Sequence, residues 1–263
     1  MRRRAMLLIL ALITCAARAQ MTSYSYLDDD GVMRLTSVSI RHGDTTRVFD
    51  AGKLVPVRVT RFVHLSNSLG LIPGGQPVPQ GADRRELLDD VLNRGLINPA
   101  RADAAEDPGL RLAFTTPLPN RPGPDLVVFE LQTDAGNSPL GGDPFRLAAV
   151  SAEGKVWSTE VGRFDVGFSH PAAQRVLTPQ FLHLASKPEK GADVLDAAWQ
   201  TTGAPGGMVF KVLGTAVDLS DLGVPEGTEV ARLVIQPGIG SKGCIDPVCV
   251  AGLPTPTKAN LLT

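Results

Sequence analysis

Apolar and polar residues alternate along much of this chain with a period of two. That spacing sends successive side chains to opposite faces of a strand and leaves one face to be buried. Val38 and Ile40 alternate with Ser37 and Ser39, and Val55, Val57 and Val59 alternate with Pro56, Arg58 and Thr60. Phe62 and Val63 then break the phase. Asp28-Asp29-Asp30-Gly31 separates Ser23-Tyr24-Ser25-Tyr26 from Val32 to Ile40, and His42-Gly43-Asp44 precedes Val48-Phe49. An Asp-Gly step between alternating runs is a strong hairpin signal. The pattern predicts an N-terminal β-meander within residues 20–80.

Residues 70–82 form a Gly/Pro-rich connection, and a single short helix is expected at about 83–94. Asp83 is placed as its N-cap, with Glu86 as the capping-box partner three residues on. Leu87, Leu88, Val91 and Leu92 make the apolar stripe, and Gly95 suits a left-handed C-cap. Strand patterns return at Leu110 to Phe114, Phe145 to Val150, Val156-Trp157, Val209 to Leu213 and Val230 to Ile235. Leu126 to Leu131, reading Leu-Val-Val-Phe-Glu-Leu, is nearly continuous in apolar character and reads as a central strand. Strands and helices do not alternate, which weighs against a parallel α/β architecture. A mainly β, antiparallel two-sheet sandwich over 20–263, in one domain, is the expectation.

Composition narrows the setting. The charges nearly balance, with 26 Lys+Arg against 27 Asp+Glu, and no concentrated basic surface is available for nucleic acid. Arg2, Arg3 and Arg4 precede a short apolar run from Met6 to Ile13, which falls short of the roughly 20 residues that span a bilayer. Ala17-Arg18-Ala19 has the small-x-small form of a leader cleavage site. Residues 1–19 are therefore expected to be a signal peptide cleaved near Ala19-Gln20, leaving a secreted, extracellular or periplasmic chain without a transmembrane anchor. A lipoprotein reading at Cys15 is weaker, because Thr14 is larger than the Gly, Ala or Ser usual before a lipidated cysteine. Cys244 and Cys249 remain after such cleavage, and an even count in an exported chain predicts a small disulfide loop between them.

One family resemblance stands out. Arg121-Pro122-Gly123-Pro124-Asp125-Leu126-Val127-Val128-Phe129-Glu130, followed by Asp143-Pro144-Phe145-Arg146-Leu147-Ala148-Ala149-Val150-Ser151-Ala152-Glu153-Gly154, resembles a strand and hairpin of bacterial exported surface proteins. Ala216 to Val224, Asp246-Pro247 and Ala251 to Pro254 are similar in the same way. The proteins resembled are discoidin-like (galactose-binding-like) jelly rolls, some of them PEP-CTERM-associated. The resemblance implies a jelly-roll-like β-sandwich in an extracellular setting. It carries no ligand across, since one fold hosts many functions. The final residues Leu261-Leu262-Thr263 depart from the sorting tail of that group.

Candidate chemistry is sparse. Asp125 and Asp143 flank the central strand and are candidate ligands for a loop-borne calcium, which wants several carboxylate or carbonyl oxygens. Asp28 to Asp30 fit a solvated turn better than an EF-hand. Gly238-Ile239-Gly240-Ser241-Lys242-Gly243 matches a dinucleotide fingerprint in letters, but no helix opens after it. His42, His64, His170 and His183 lie in separate segments without metal-ligand spacing. Glu130 is expected to pair with Arg146 at a sheet edge or to point outward, and Trp157 and Trp199 fit core positions better than sugar platforms. No catalytic centre is recognisable. The expectation is a non-catalytic secreted or cell-surface binding or structural module contacting glycans, extracellular polysaccharide, matrix or surface proteins. The alternative is a secreted hydrolase whose carboxylates assemble in space.

Overall fold

A computed structural model of the chain describes residues 18–29, 32–63, 89, 92–93, 102–103, 109–133, 144–161, 164–166, 175–177, 180–184, 186, 188–189, 191–195, 197, 199–203, 208–238, 244–245 and 247–257. The chain is mainly β, and among the described residues every ladder between strands is antiparallel. Among the described residues no helix reaches seven residues, and none is long and apolar enough to cross a membrane.

Two large sheets face each other. In one, β4 (Val57–Val63), β6 (Gly109–Pro119), β14 (Glu229–Pro237), β8 (Phe145–Ser151) and β9 (Val156–Val161) lie side by side in that order. In the other the order is β10 (Arg175–Leu177), β13 (Met208–Val217), β7 (Leu126–Thr133) and β16 (Pro247–Gly252). Leu112 and Leu233 from the first sheet join Leu126, Val128 and Leu213 from the second in one buried cluster. Two short pairs are separate from these sheets: β11 (Gln180–Leu184) with β12 (Trp199–Gly203), and β15 (Cys244–Ile245) with β5 (Ala102–Asp103).

A third layer lies outside the expected two-sheet scheme. The N-terminal hairpins form a meander of β1 (Gln20–Asp29), β2 (Val32–His42) and β3 (Thr45–Asp50). Tyr24, Val38, Ile40 and Phe49 from this meander pack with Val127 and Phe129 of β7 in a second buried cluster. Strand β7 is thus covered on both faces, and this is why its sequence runs apolar without alternation. Polar ties fasten the layers. The Tyr24 hydroxyl donates to the Val212 carbonyl at 3.3 Å. Asp165 Oδ2 accepts from the Met21 N–H at 3.0 Å, the Ala216 N–H at 2.9 Å and the Thr215 hydroxyl at 3.1 Å.

Strand β4 ends the five-stranded sheet, yet its outer backbone is occupied. Asn93 Oδ1 accepts from the Val57 N–H at 2.7 Å, and its Nδ2 donates to the Val57 carbonyl at 2.8 Å. Asp89 Oδ1 accepts from the Val59 N–H at 2.6 Å, and Asp193 Oδ1 from the Phe62 N–H at 3.1 Å. A register shift between Val59 and Arg61 explains why Phe62 and Val63 fall out of phase in the sequence.

Several expectations are corrected or only partly met. Cys249 is a free, fully buried thiol rather than half of a bridge to Cys244. Its phase on β16 turns it into the second cluster, between two layers, where it packs as a small apolar group. Burial pushes its pKa up to about 12, so it stays protonated. Glu130 does not point outward, since it is 1% exposed on β7, and β7 is not an edge strand of its sheet. Arg146 alternates with the buried Phe145 and Leu147, is exposed, and stands beside Glu160 on β9. Of the helix at 83–94, Asp89, Leu92 and Asn93 are helical, with Leu92 fully buried, and its other residues lie outside the described ones.

Candidate functional site

Inner-face positions of the β2–β3 hairpin run past the end of the second cluster. Ile40 stands opposite Arg47, and His42 opposite Thr45. Ile40 and Phe49 are buried, Arg47 is half-buried, and His42 and Thr45 are exposed. The change from apolar to polar marks where the layers part. A cleft of about 470 Å³ opens there. His42, Arg47 and Arg121 supply its basic side chains, and Pro122, Pro124 and Pro256 supply rigid apolar walls.

The opposite wall is the 120–125 loop, and it is anchored at both ends. Asn120 is 1% exposed, and its Nδ2 donates to the Val224 carbonyl at 2.6 Å. Its backbone N–H donates to the Thr228 carbonyl at 2.9 Å, and its own carbonyl accepts from the Gly227 N–H at 2.8 Å. At the other end Asp125 is fully buried. Its Oδ1 accepts from the Arg121 N–H at 3.2 Å, and its Oδ2 accepts from the Leu219 N–H at 3.1 Å. Between them Gly123 sits at φ +94°, a left-handed value that disfavours side chains, and a Cβ there would meet His42 Nδ1 at 3.0 Å. The His42 ring therefore packs directly on the loop backbone.

Arg121 links this loop to the residues after β16. Its Nη2 donates to the Leu253 carbonyl at 2.8 Å and its Nη1 to the Thr255 hydroxyl at 2.9 Å. Its Nε lies 3.6 Å from Asp125 Oδ1. Arg121 is thus a builder of the cleft with only part of its donor capacity left for a ligand. The Arg47 side chain differs, since it makes no hydrogen bond or ion pair among the described residues. Burial pushes the Asp125 carboxyl up to about 7, outweighing the Leu219 and Arg121 N–H bonds and the Arg121 charge that favour its ionised form.

The candidate calcium ligands are not brought together among the described residues. Asp125 is turned inward onto backbone N–H groups, and Asp143 lies outside the described residues. Among the described residues no cluster of three or more His, Cys, Asp or Glu has metal-holding geometry. Gly238 packs against Pro144, donating to its carbonyl at 2.7 Å, and the rest of the 238–243 glycine motif lies outside the described residues. His64 and His170 lie outside them too, and His183 is on β11. Trp157 packs against the first cluster, with Lys155 Nζ 4.9 Å from its ring centroid.

A second cavity of about 510 Å³ lies beside β9, with Arg18, Glu160 and Asp221 among its lining residues. Burial raises the Asp221 carboxyl, and the neighbouring Asp218 raises it further while Arg18 opposes. No local run of the sequence brings this basic cleft together. One signal for it was visible: Arg47 occupies the same strand phase as the buried Phe49, where an apolar residue is expected. Compared with protein-family models, with curated proteins and with solved structures, the chain matches none.

Proposed function

We propose that this chain is a secreted or cell-surface, non-catalytic binding module that contacts glycans or extracellular matrix through the cleft between the β2–β3 hairpin and the 120–125 loop. The observation that carries the reading is the build of that cleft. Asn120, Arg121 and Asp125 hold one wall rigidly, and basic groups with proline faces are presented at its surface. Preorganised walls reduce the ordering cost of binding. The jelly-roll relationship belongs to the same proposal. It is supported by connections that cross between the two large sheets, from β6 to β7, β7 to β8 and β13 to β14. Export rests on the leader pattern of residues 2–19, whose cleavage would take Arg18 away from the rim of the 510 Å³ cavity.

The rival reading is a secreted hydrolase, and one observation favours it: Glu160 and Asp221 line one cavity, and Asp221 has a raised pKa. A general acid needs such a raised carboxyl. The test pairs retention on immobilised polysaccharides with a panel of glycosidase and esterase substrates. Retention that is lost in Gly123→Val, with no turnover of the panel, supports the module. Turnover abolished by Glu160→Gln or Asp221→Asn replaces it with the hydrolase.

A further inference from the structure

We infer that the cleft selects an acidic sugar, a glycan bearing carboxylate or sulfate, with Arg47 as the residue that reads the anion; this rests on the binding-module reading above. The lining side chains include His42, Arg47 and Arg121, and no acidic residue. Of the acids beside it, Asp125 is fully buried behind Arg121 with Oδ2 on the Leu219 N–H, and Asp44 is exposed in the hairpin turn outside the lining. Arg121 already spends donors on Leu253 and Thr255. Arg47 has spent none among the described residues, and it is half-buried beside the apolar Ile40 and Phe49.

A guanidinium in that position gains most from a planar oxyanion that accepts two parallel N–H bonds, because partial burial weakens competition from water. The rest of the cleft asks for an apolar face beside that anion. Pro122, Pro124 and Pro256 present C–H surfaces suited to the C–H face of a sugar ring. The volume of about 470 Å³ accommodates a small ligand rather than an extended duplex. A formal net charge of −1 gives no general attraction for polyanions, so recognition must be local.

Titration calorimetry of the full chain would use four probes: a polyuronate, a sulfated polysaccharide, neutral dextran and inorganic sulfate. Binding to one or both acidic polysaccharides, weakened by salt and absent with dextran, is expected. Arg47→Ala should weaken it by roughly 10- to 100-fold, the worth of a charged hydrogen-bonded contact, while Arg47→Lys restores part of the loss. The exposed Arg58 on β4 gives the charge control, and Arg58→Ala should leave binding unchanged. A thermal melt of each variant checks that it folds. Equal losses in Arg47→Ala and Arg58→Ala overturn the inference, because the attraction would then be unspecific. Binding of dextran with Arg47→Ala unaffected overturns it while sparing the binding module. Binding of inorganic sulfate alone overturns it as well, and the absence of any polysaccharide binding overturns it together with the glycan branch of the binding-module reading.

Discussion

Asp125 shows how much depends on the direction in which one side chain points. In the sequence it sits in a Pro-Gly-Pro-Asp loop, where an exposed oxygen donor is the natural reading. In the fold its oxygens accept from Arg121 and from Leu219, the latter 94 positions away, and no local pattern announces that partner. With a folded pKa raised from 3.8 to about 7, the native state holds a proton that the unfolded chain releases across that interval. The sign follows. The contribution of Asp125 to stability is full below about pH 4 and is lost as the pH rises toward about 7, by at most about 1.4 kcal/mol per pH unit. Asp125→Asn, which cannot titrate, should remove that slope. Urea unfolding of both proteins between pH 4 and 7 checks this, and parallel profiles would refute it. Gly214 depends on tertiary context in the same way. It reads as a weak point in a strand, but a Cβ there would meet Met21 Sδ and Phe129 Cε1, each at 2.7 Å. The glycine exists to let two layers close.

Among the elements, β4 and β7 mark the reach of pattern reading. The apolar run of β7 was legible as a central strand, and the alternation of β4 as a half-buried one. The covering of the outer edge of β4 was not legible, because Asp89, Asn93 and Asp193 look like ordinary surface polar residues until they are seen beside it. An open edge strand invites pairing with another chain, and blocking it is a structural task in its own right. Asn93→Ala strips both of its bonds to Val57 and should lower the unfolding free energy by about 1–3 kcal/mol. Asn93→Asp keeps an acceptor for the Val57 N–H and should fall between. Urea denaturation with an unchanged m-value measures both. An Asn93→Ala variant as stable as the parent would mean that this edge needs no cover.

At the scale of the whole molecule the decisive feature is the third layer. Without β1–β3, Val127, Phe129, Val212 and Ala216 on the outer face of the four-stranded sheet would meet water. A chain that begins at Ala51 should therefore bind a hydrophobic dye and elute as aggregates in size exclusion. A monomeric, dye-silent product would show that the meander is an appendage. The same layer makes one wall of the cleft, so binding and stability share it. By itself the sequence determined which side chains share a strand face, where the hairpins turn, and that antiparallel sheets result, because these depend on period and turn chemistry within a few residues. Only the tertiary structure decided that a third sheet covers the second, that Cys249 stays a thiol, and that His42, Arg47 and Arg121 meet. A period of two names the residues on a face, but it carries no information about what packs over that face.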